Sequence, residues 1–400
     1  MPESENATVE LTAQCLCKKH TFTAKVPQSS LPLKASACHC NSCRHVTGAM
    51  YGTATLWPGD SDAVQESSLS KYVFGETLTT LSCGTCSSMM FWEKSTESKP
   101  PTHSVFTGAL ANIDVPDLVL FTEHKFLGDT IDGGASPWLR SAGKDGARPR
   151  LWAGQTRNSE ELSQEWPPVD SLPDAAAELD LDKIPIRCRC KGVDLVLHSP
   201  HTAFAGKPRS ELPWFVDPVT HKLLGNFDAC DSCRLSSGAD VFHWTFALLL
   251  HLGFAGATEG GHSEFPRSTP QLKAAVSAKE GRDPRWGTLT YYESSPDVQR
   301  YFCSRCSACV FYAAGRRPEI VDIAVGLLDV PGGARAEGLI SWALGGESPW
   351  RTDMSGGWRE DLIKNIESEA ERWRIHRRHS KNWYRLDEER ARAKEEAQYR

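Results

Sequence analysis

The stretch Cys38-His39-Cys40-Asn41-Ser42-Cys43-Arg44-His45-Val46-Thr47-Gly48-Ala49 recurs, altered, as Ala229-Cys230-Asp231-Ser232-Cys233-Arg234-Leu235-Ser236-Ser237-Gly238-Ala239. Both versions keep Cys-x-x-Cys-Arg and a Gly-Ala five residues past the second cysteine. Working outward, each is preceded by a C-x-C, Cys15/Cys17 and Cys188/Cys190, and followed by a C-x-x-C, Cys83/Cys86 and Cys303/Cys306. LSCGTCSSMMFW from Leu81 matches YFCSRCSACVFY from Tyr301, and GGASPW from Gly133 matches GGESPW from Gly345. One match can arise by chance. The same order of all of them marks an internal repeat.

The chain has 400 residues, a length that favours two domains. With 40% hydrophobic and 24% charged residues it reads as ordinary globular protein. The longest apolar run, from Val241 to Gly256, contains His243 and His251 and falls short of a membrane span. The acidic opening MPESENATVE lacks the features of a secretory or mitochondrial leader, so the expected address is cytoplasmic, with the nucleus a second option. Thiols stay reduced there, and 14 cysteines then point to metal before disulfides. A net charge of −6 gives no general reason to expect nucleic acid.

Within each copy the segments are short, β-branched and aromatic, as in LTAQCLCKKHTFTAKV and GTLTYYES. We expect a mostly β protein: a first zinc domain over residues 11–140, a Pro- and Gly-rich linker over 141–183, and a second, partly degenerate domain over 184–352. A charged helical tail is expected over 358–400, its basic aromatic cluster RIHRRHSKNWYR reading as a solvated helix. The second copy is longer around its central motif, and the additions read as solvent loops.

Two pairs of thiolates brought together by a fold make a four-coordinate zinc site. The pairings are Cys15/Cys17 with Cys83/Cys86 and Cys188/Cys190 with Cys303/Cys306. Metal there supplies folding energy to a small β domain. Cys38, Cys40 and Cys43 supply only three thiolates, and an incomplete shell is what distinguishes a catalytic zinc from a structural one. His39 can be a fourth ligand, a proton shuttle or a locally hydrogen-bonded side chain. In the second copy Asp228 replaces Cys38 and Ala229 replaces His39, while Cys230 and Cys233 remain. A Cys-Cys-Asp zinc site is chemically possible, but a weakened or empty one is the favoured reading. Cys309 aligns with Met89 and reads as a buried free thiol.

These motifs resemble the glutathione-dependent formaldehyde-activating enzyme family, which also includes centromere protein V. The first copy carries the resemblance through Cys15, Cys17, Cys38, His39, Cys40, Cys43, Arg44, Gly48, Ala49, Cys83 and Cys86. YYESSPDVQRYFC and the closing Pro137-Trp138 and Pro349-Trp350 extend it to the second copy. The resemblance implies tandem β-tent domains, each with a structural and a catalytic zinc, and glutathione binding near Cys38, Cys40 and Cys43. It implies a carbon–sulfur lyase acting on adducts of glutathione, or a related thiol, with an aldehyde. Lys18 and Lys19 depart from the glycine often found after the second cysteine, which Gly192 nearly restores in the second copy. The alternative function is a noncatalytic zinc module for protein or chromatin interaction. No Rossmann or phosphate-loop signature calls for a nucleotide. From four plus four plus three ligands, metal analysis should return about three zinc ions per chain, with a fourth if Asp228 serves.

Overall fold

In a computed structural model the described residues are 7–141, 148–172, 181–256 and 264–398. Strand exceeds helix, 32% against 26%, so the class is mostly β. The hairpin β1 (Thr8–Gln14) and β2 (Thr21–Pro27) carries the first C-x-C in its turn. β3 (Leu33–Cys38) leads through α1 (Asn41–Thr47) into β4 (Gly52–Leu56). After α2 (Ser61–Gln65), β5 (Ser70–Gly75), β6 (Leu78–Ser82), β7 (Met89–Thr96) and β8 (Lys99–Phe106) form an antiparallel meander. β9 (Val119–Lys125) returns parallel to β3. β10 (Arg150–Trp152) and β11 (Glu161–Leu162) extend that edge, giving the order β11-β10-β9-β3-β4-β8-β7-β6-β5.

The rest of the chain runs through β12 (Lys183–Arg187), β13 (Asp194–His198), α3 (Pro200–Phe204), β14 (Leu223–Asp228), α4 (Asp231–Ser237) and β15 (Phe242–Leu248). β16 (Leu252–Phe254) and α5 (Thr269–Ser277) precede β17 (Leu289–Ser295), β18 (Val298–Cys303), β19 (Cys309–Ala314), β20 (Ile320–Ala324) and β21 (Ile340–Trp342). The larger sheet here has the order β17-β18-β19-β20-β15-β14-β21, again with a parallel return strand, β21 on β14. Registers also correspond. Cys38 faces Gly52 as Asp228 faces Phe242, and Leu81 faces Phe91 as Tyr301 faces Phe311.

α1 and α4 begin and end alike. Cys40 and Cys230 are the N-caps, accepting the N–H of Cys43 and Cys233, and Gly48 (φ 81°) and Gly238 (φ 75°) close the helices left-handed. The two helices meet the opposite half reciprocally. Gly326 N–H donates to Gly48 O at 2.9 Å, and Gly108 N–H donates to Gly238 O at 3.0 Å. Arg44 Nη1 donates to Gly326 O at 3.2 Å, and Arg234 Nη1 to Gly108 O at 2.5 Å and Leu110 O at 2.8 Å. A Cβ on Gly326 would stand 2.1 Å from Ala49 O, so only glycine allows this approach.

Three sequence expectations change. The supposed linker lies partly outside the described residues, at 142–147 and 173–180, but its middle supplies β10 and β11 to the first sheet. The supposed solvent loops of the second half contain structure. β16 pairs with β13, and Phe204, Phe215, Leu272 and Val276 are buried, with 257–263 outside the described residues. The tail is not simply solvated. α6 (Arg359–His376) buries Ile363, Ile366, Ala370 and Trp373 in the core, whereas α7 (Trp383–Gln398) is largely exposed beyond Arg385. Charges dominate the tail's composition, but its apolar residues recur at helical spacing on one face. Among the described residues no helix is long and apolar enough to cross a membrane.

α6 is fastened by Arg359, which is fully buried. Its Nε donates to Asp240 Oδ1 at 2.8 Å, and its Nη2 to Thr107 O at 2.5 Å. Asp240 Oδ2 also accepts the Thr107 hydroxyl at 2.5 Å. Removing one partner of a buried ion pair strands the other charge. Asp240→Ala should therefore cost about 3–5 kcal/mol of unfolding free energy, measured as a lowered denaturation midpoint.

Candidate metal centres

Two knuckles build each four-cysteine cluster. In the first, Cys15 N–H donates to His20 O and Lys18 N–H to Cys15 O. Facing it, Cys83 N–H donates to Ser88 O and Ser87 N–H to Cys83 O. The same bonds recur as Cys188 to Val193, Lys191 to Cys188, Cys303 to Ala308 and Ser307 to Cys303. Such turns need one left-handed residue. Lys18 (φ 61°), Ser87 (φ 63°), Lys191 (φ 56°) and Ser307 (φ 60°) take that conformation. Lysine here takes a conformation that glycine adopts freely, at roughly 1 kcal/mol of strain. Gly192 serves differently, since a Cβ there would lie 2.3 Å from Thr288 Oγ1.

All fourteen cysteines are free thiols. Sulfur separations of 3.6 Å for Cys15–Cys17 and Cys17–Cys83, and of 3.6 and 3.5 Å for Cys188–Cys190 and Cys190–Cys303, exclude disulfides. A tetrahedron of thiolates about 2.3 Å from zinc has edges of roughly 3.8 Å, close to these values. Backbone N–H groups also point at the sulfurs, from His20 to Cys15 at 3.3 Å and from Val193 to Cys188 at 3.3 Å. That is the outer shell expected around metal thiolates. The donor sets Cys15, Cys17, Cys83, Cys86 and Cys188, Cys190, Cys303, Cys306 fit zinc, with all their sulfurs converging within 4.8 Å.

The Cys38, Cys40 and Cys43 sulfurs converge in the same way. Cys38 lies 3.5 Å from Cys40, whose sulfur accepts the Cys43 N–H at 3.2 Å. Hydrogen bonds from Cys38 and then Cys43 push the Cys40 thiol down to about 3. Its neighbours move the other way, Cys38 up to about 12 through its bond with Cys40 and Cys43 upward through its bond with Cys38. The cluster is poised to exchange its shared protons for a cation.

Beside it opens a cavity of about 950 Å³ lined by Cys38, Cys40 and Cys43. Its floor is made of small residues, Ser36, Gly52, Ala54 and Ser104, and its walls include Phe74, Trp92 and Phe126. Lys34, Lys94, Lys125, Arg150 and Arg157 line it together with Glu123 and Asp129, so the lining is predominantly basic. Asp129 Oδ2 accepts the Asn41 N–H at 3.3 Å, and burial followed by the nearby Cys40 raises its pKa. These lining residues were not anticipated, because they come from separate strands and share no spacing. The alternation of small and polar residues along β3 and β4 is the only trace of them in the sequence.

His39 is fully buried and turned elsewhere. Its Nε2 lies 2.8 Å from His124 Nδ1, and His124 Nε2 lies 3.1 Å from Leu139 O. Neither ring nitrogen is among the atoms that converge with the three sulfurs. Burial, then His124 and Arg44, hold the His39 pKa well below the usual histidine range, and burial pushes His124 down to about 4. In the second half Asp228, Cys230 and Cys233 also converge within 4.8 Å. Cys309 is a buried thiol, as expected, pushed up to about 12 by burial.

Where zinc fills these clusters, Cys83→Ser should destabilise the whole fold, read as a lowered denaturation midpoint, because structural zinc is folding energy. Cys40→Ser should remove about one equivalent of metal and leave the circular-dichroism spectrum unchanged.

Comparisons with known proteins give one family. No curated protein and no solved structure matches the chain. Residues 10–124, which contain the first four-cysteine cluster and the three-cysteine cluster, match the family model described as glutathione-dependent formaldehyde-activating enzyme.

Proposed function

We propose that the chain is a zinc-dependent carbon–sulfur lyase-type enzyme that makes or cleaves the adduct of a glutathione-like thiol with an aldehyde. The observation that carries this reading is the three-sulfur cluster, short of a fourth protein ligand among the described residues, opening on a large basic groove. The family match over residues 10–124 supports the same chemistry. On this reading Cys15, Cys17, Cys83 and Cys86 hold one structural zinc, and Cys188, Cys190, Cys303 and Cys306 hold another. Cys38, Cys40 and Cys43 hold the third. When bound there, zinc lowers the pKa of an incoming thiol and keeps it as a thiolate.

The rest falls to the chain's own side chains. Lys34, Lys94 and Lys125 meet the carboxylates of a glutathione-like thiol, and Trp92 and Phe126 flank its backbone. The thiol sulfur forms a bond to the carbonyl carbon, the carbonyl electron pair moves to oxygen, and that oxygen takes a proton. Asp129, which lines the groove beside Cys40, is placed to supply the proton. Cleavage reverses these movements. His39, stacked on His124 and neutral, is a positioning residue for the loop between Cys38 and Cys40. Residues 184–352 form a second, partly degenerate copy that shapes the first, as where Arg189 stands 5.6 Å over the Phe74 ring in the groove wall.

The test is to mix the zinc-loaded protein with glutathione and formaldehyde and follow adduct formation by exchange NMR. Turnover above the spontaneous rate, abolished by Cys40→Ser, is the expected result. A rate equal to the spontaneous one, with zinc bound, overturns the proposal.

A further inference from the structure

We infer that the Asp228–Cys230–Cys233 cluster is closed to metal because the guanidinium of Arg300 is its resident cation. Arg300 is buried, at 5% exposure. Its Nη1 donates to Cys233 Sγ at 3.4 Å, and its Nε donates to Ser294 Oγ at 3.2 Å. Its guanidinium carbon lies 5.1 Å from the centre of the Tyr312 ring. The position is equivalent to Thr80, because Arg300 faces Tyr312 across β18–β19 as Thr80 faces Trp92 across β6–β7. A neutral threonine in the first half therefore corresponds to a full positive charge in the second.

The space around the cluster has been filled as well. Opposite Asp228 stands Phe242, where Gly52 stands opposite Cys38. Opposite Asn226 stands Trp244, where Ala54 stands opposite Ser36. Phe242 and Trp244 are buried, with ring centres 4.4 Å apart. Asp322 takes the register position of Ser104 and is held by Arg317 at 2.8 Å. Asp228 has one oxygen committed to the chain, since its Oδ1 accepts the Cys230 N–H at 2.9 Å. A second cation here would be repelled by Arg300. The positive charge beside the two sulfurs and the carboxyl group is supplied by the protein itself.

The inference rests on the zinc reading of the other clusters, and metal counting on the full chain separates the two. The wild type should carry about three zinc ions per chain. Cys233→Ser should leave that count unchanged, while Cys40→Ser lowers it by one. Arg300→Thr, which installs the residue found in the first half, should raise it by one. In the cobalt-substituted protein the same variant should gain thiolate-to-metal absorption. A wild-type count of four, a loss of one equivalent in Cys233→Ser, or a folded Arg300→Thr with neither extra metal nor added absorption overturns the inference. If Arg300→Thr does not fold, the Cys233→Ser count decides. A wild type without zinc defeats the zinc reading alone. The cobalt comparison between wild type and Arg300→Thr then still tests the role of Arg300.

Discussion

The structure depends on the close backbone approach of Gly48 to Gly326 and of Gly108 to Gly238, each locked by the arginine that follows a Cys-x-x-Cys. A side chain at Gly108 would put its Cβ 2.3 Å from Gly238 C, so the contact exists only between bare backbones. Arg44 and Arg234 are buried; their Nη1 groups donate to carbonyls of the opposite half, and their Nη2 groups to Asn41 Oδ1 and Asp231 Oδ1 of their own helices. Because Arg44 is the next residue after Cys43, the contact that joins the halves also fixes the helix bearing the three-cysteine cluster. The cluster cannot shift without moving the opposite backbone. That rigidity is what a preorganised binding site needs.

The frame is nearly symmetric and its two faces are not. On one face Gly52 and Ala54 leave the sheet bare beneath a groove, whereas on the other Phe242 and Trp244 cover the corresponding positions. Burying each large aromatic contributes roughly 1.5–3 kcal/mol, which the groove side forgoes. Keeping an open, basic groove is a cost in stability of the kind borne by functional sites. Corresponding registers in the two halves let one face bear that cost while the other adds to the core. Trp138 shows the same division. It closes the first series by packing against Phe227, His243 and Trp342, whereas the corresponding Trp350 is largely exposed.

The cysteines were readable from sequence because ligand spacing is local. C-x-C and C-x-x-C fix knuckles whose geometry depends on a few neighbouring residues, and the structure brings together each cysteine group that the spacing suggested. His39 shows where locality fails. It sits between Cys38 and Cys40 in sequence, yet its ring is claimed by His124, eighty-five residues on. The groove lining and Arg300 were equally hidden, since sheet register rather than spacing carries them to the clusters. The tail was misjudged by weighing composition over periodicity. Ile363, Ile366, Ala370 and Trp373 form a helical stripe amid the charges, and Arg359 finds its partner Asp240 far earlier in the chain.

Length and repetition suggested two halves that could stand apart, but the packing ties them together. Val46, Met50, Tyr51, Phe106 and Trp138 belong to the same buried cluster as the strands of the second half. Trp358 and Tyr292, from late in the chain, pack on the core of the first. The four-cysteine clusters are joined more directly still. Ser82, next to Cys83, and Ser307, next to Cys306, have hydroxyl oxygens 2.6 Å apart. Loosening one knuckle would strip a buried hydroxyl of its partner beside the other, and opening the interface would expose apolar surface from both halves at once. Costs shared in this way make unfolding cooperative. The two halves therefore form one folding unit, in which metal bound by either would stabilise both.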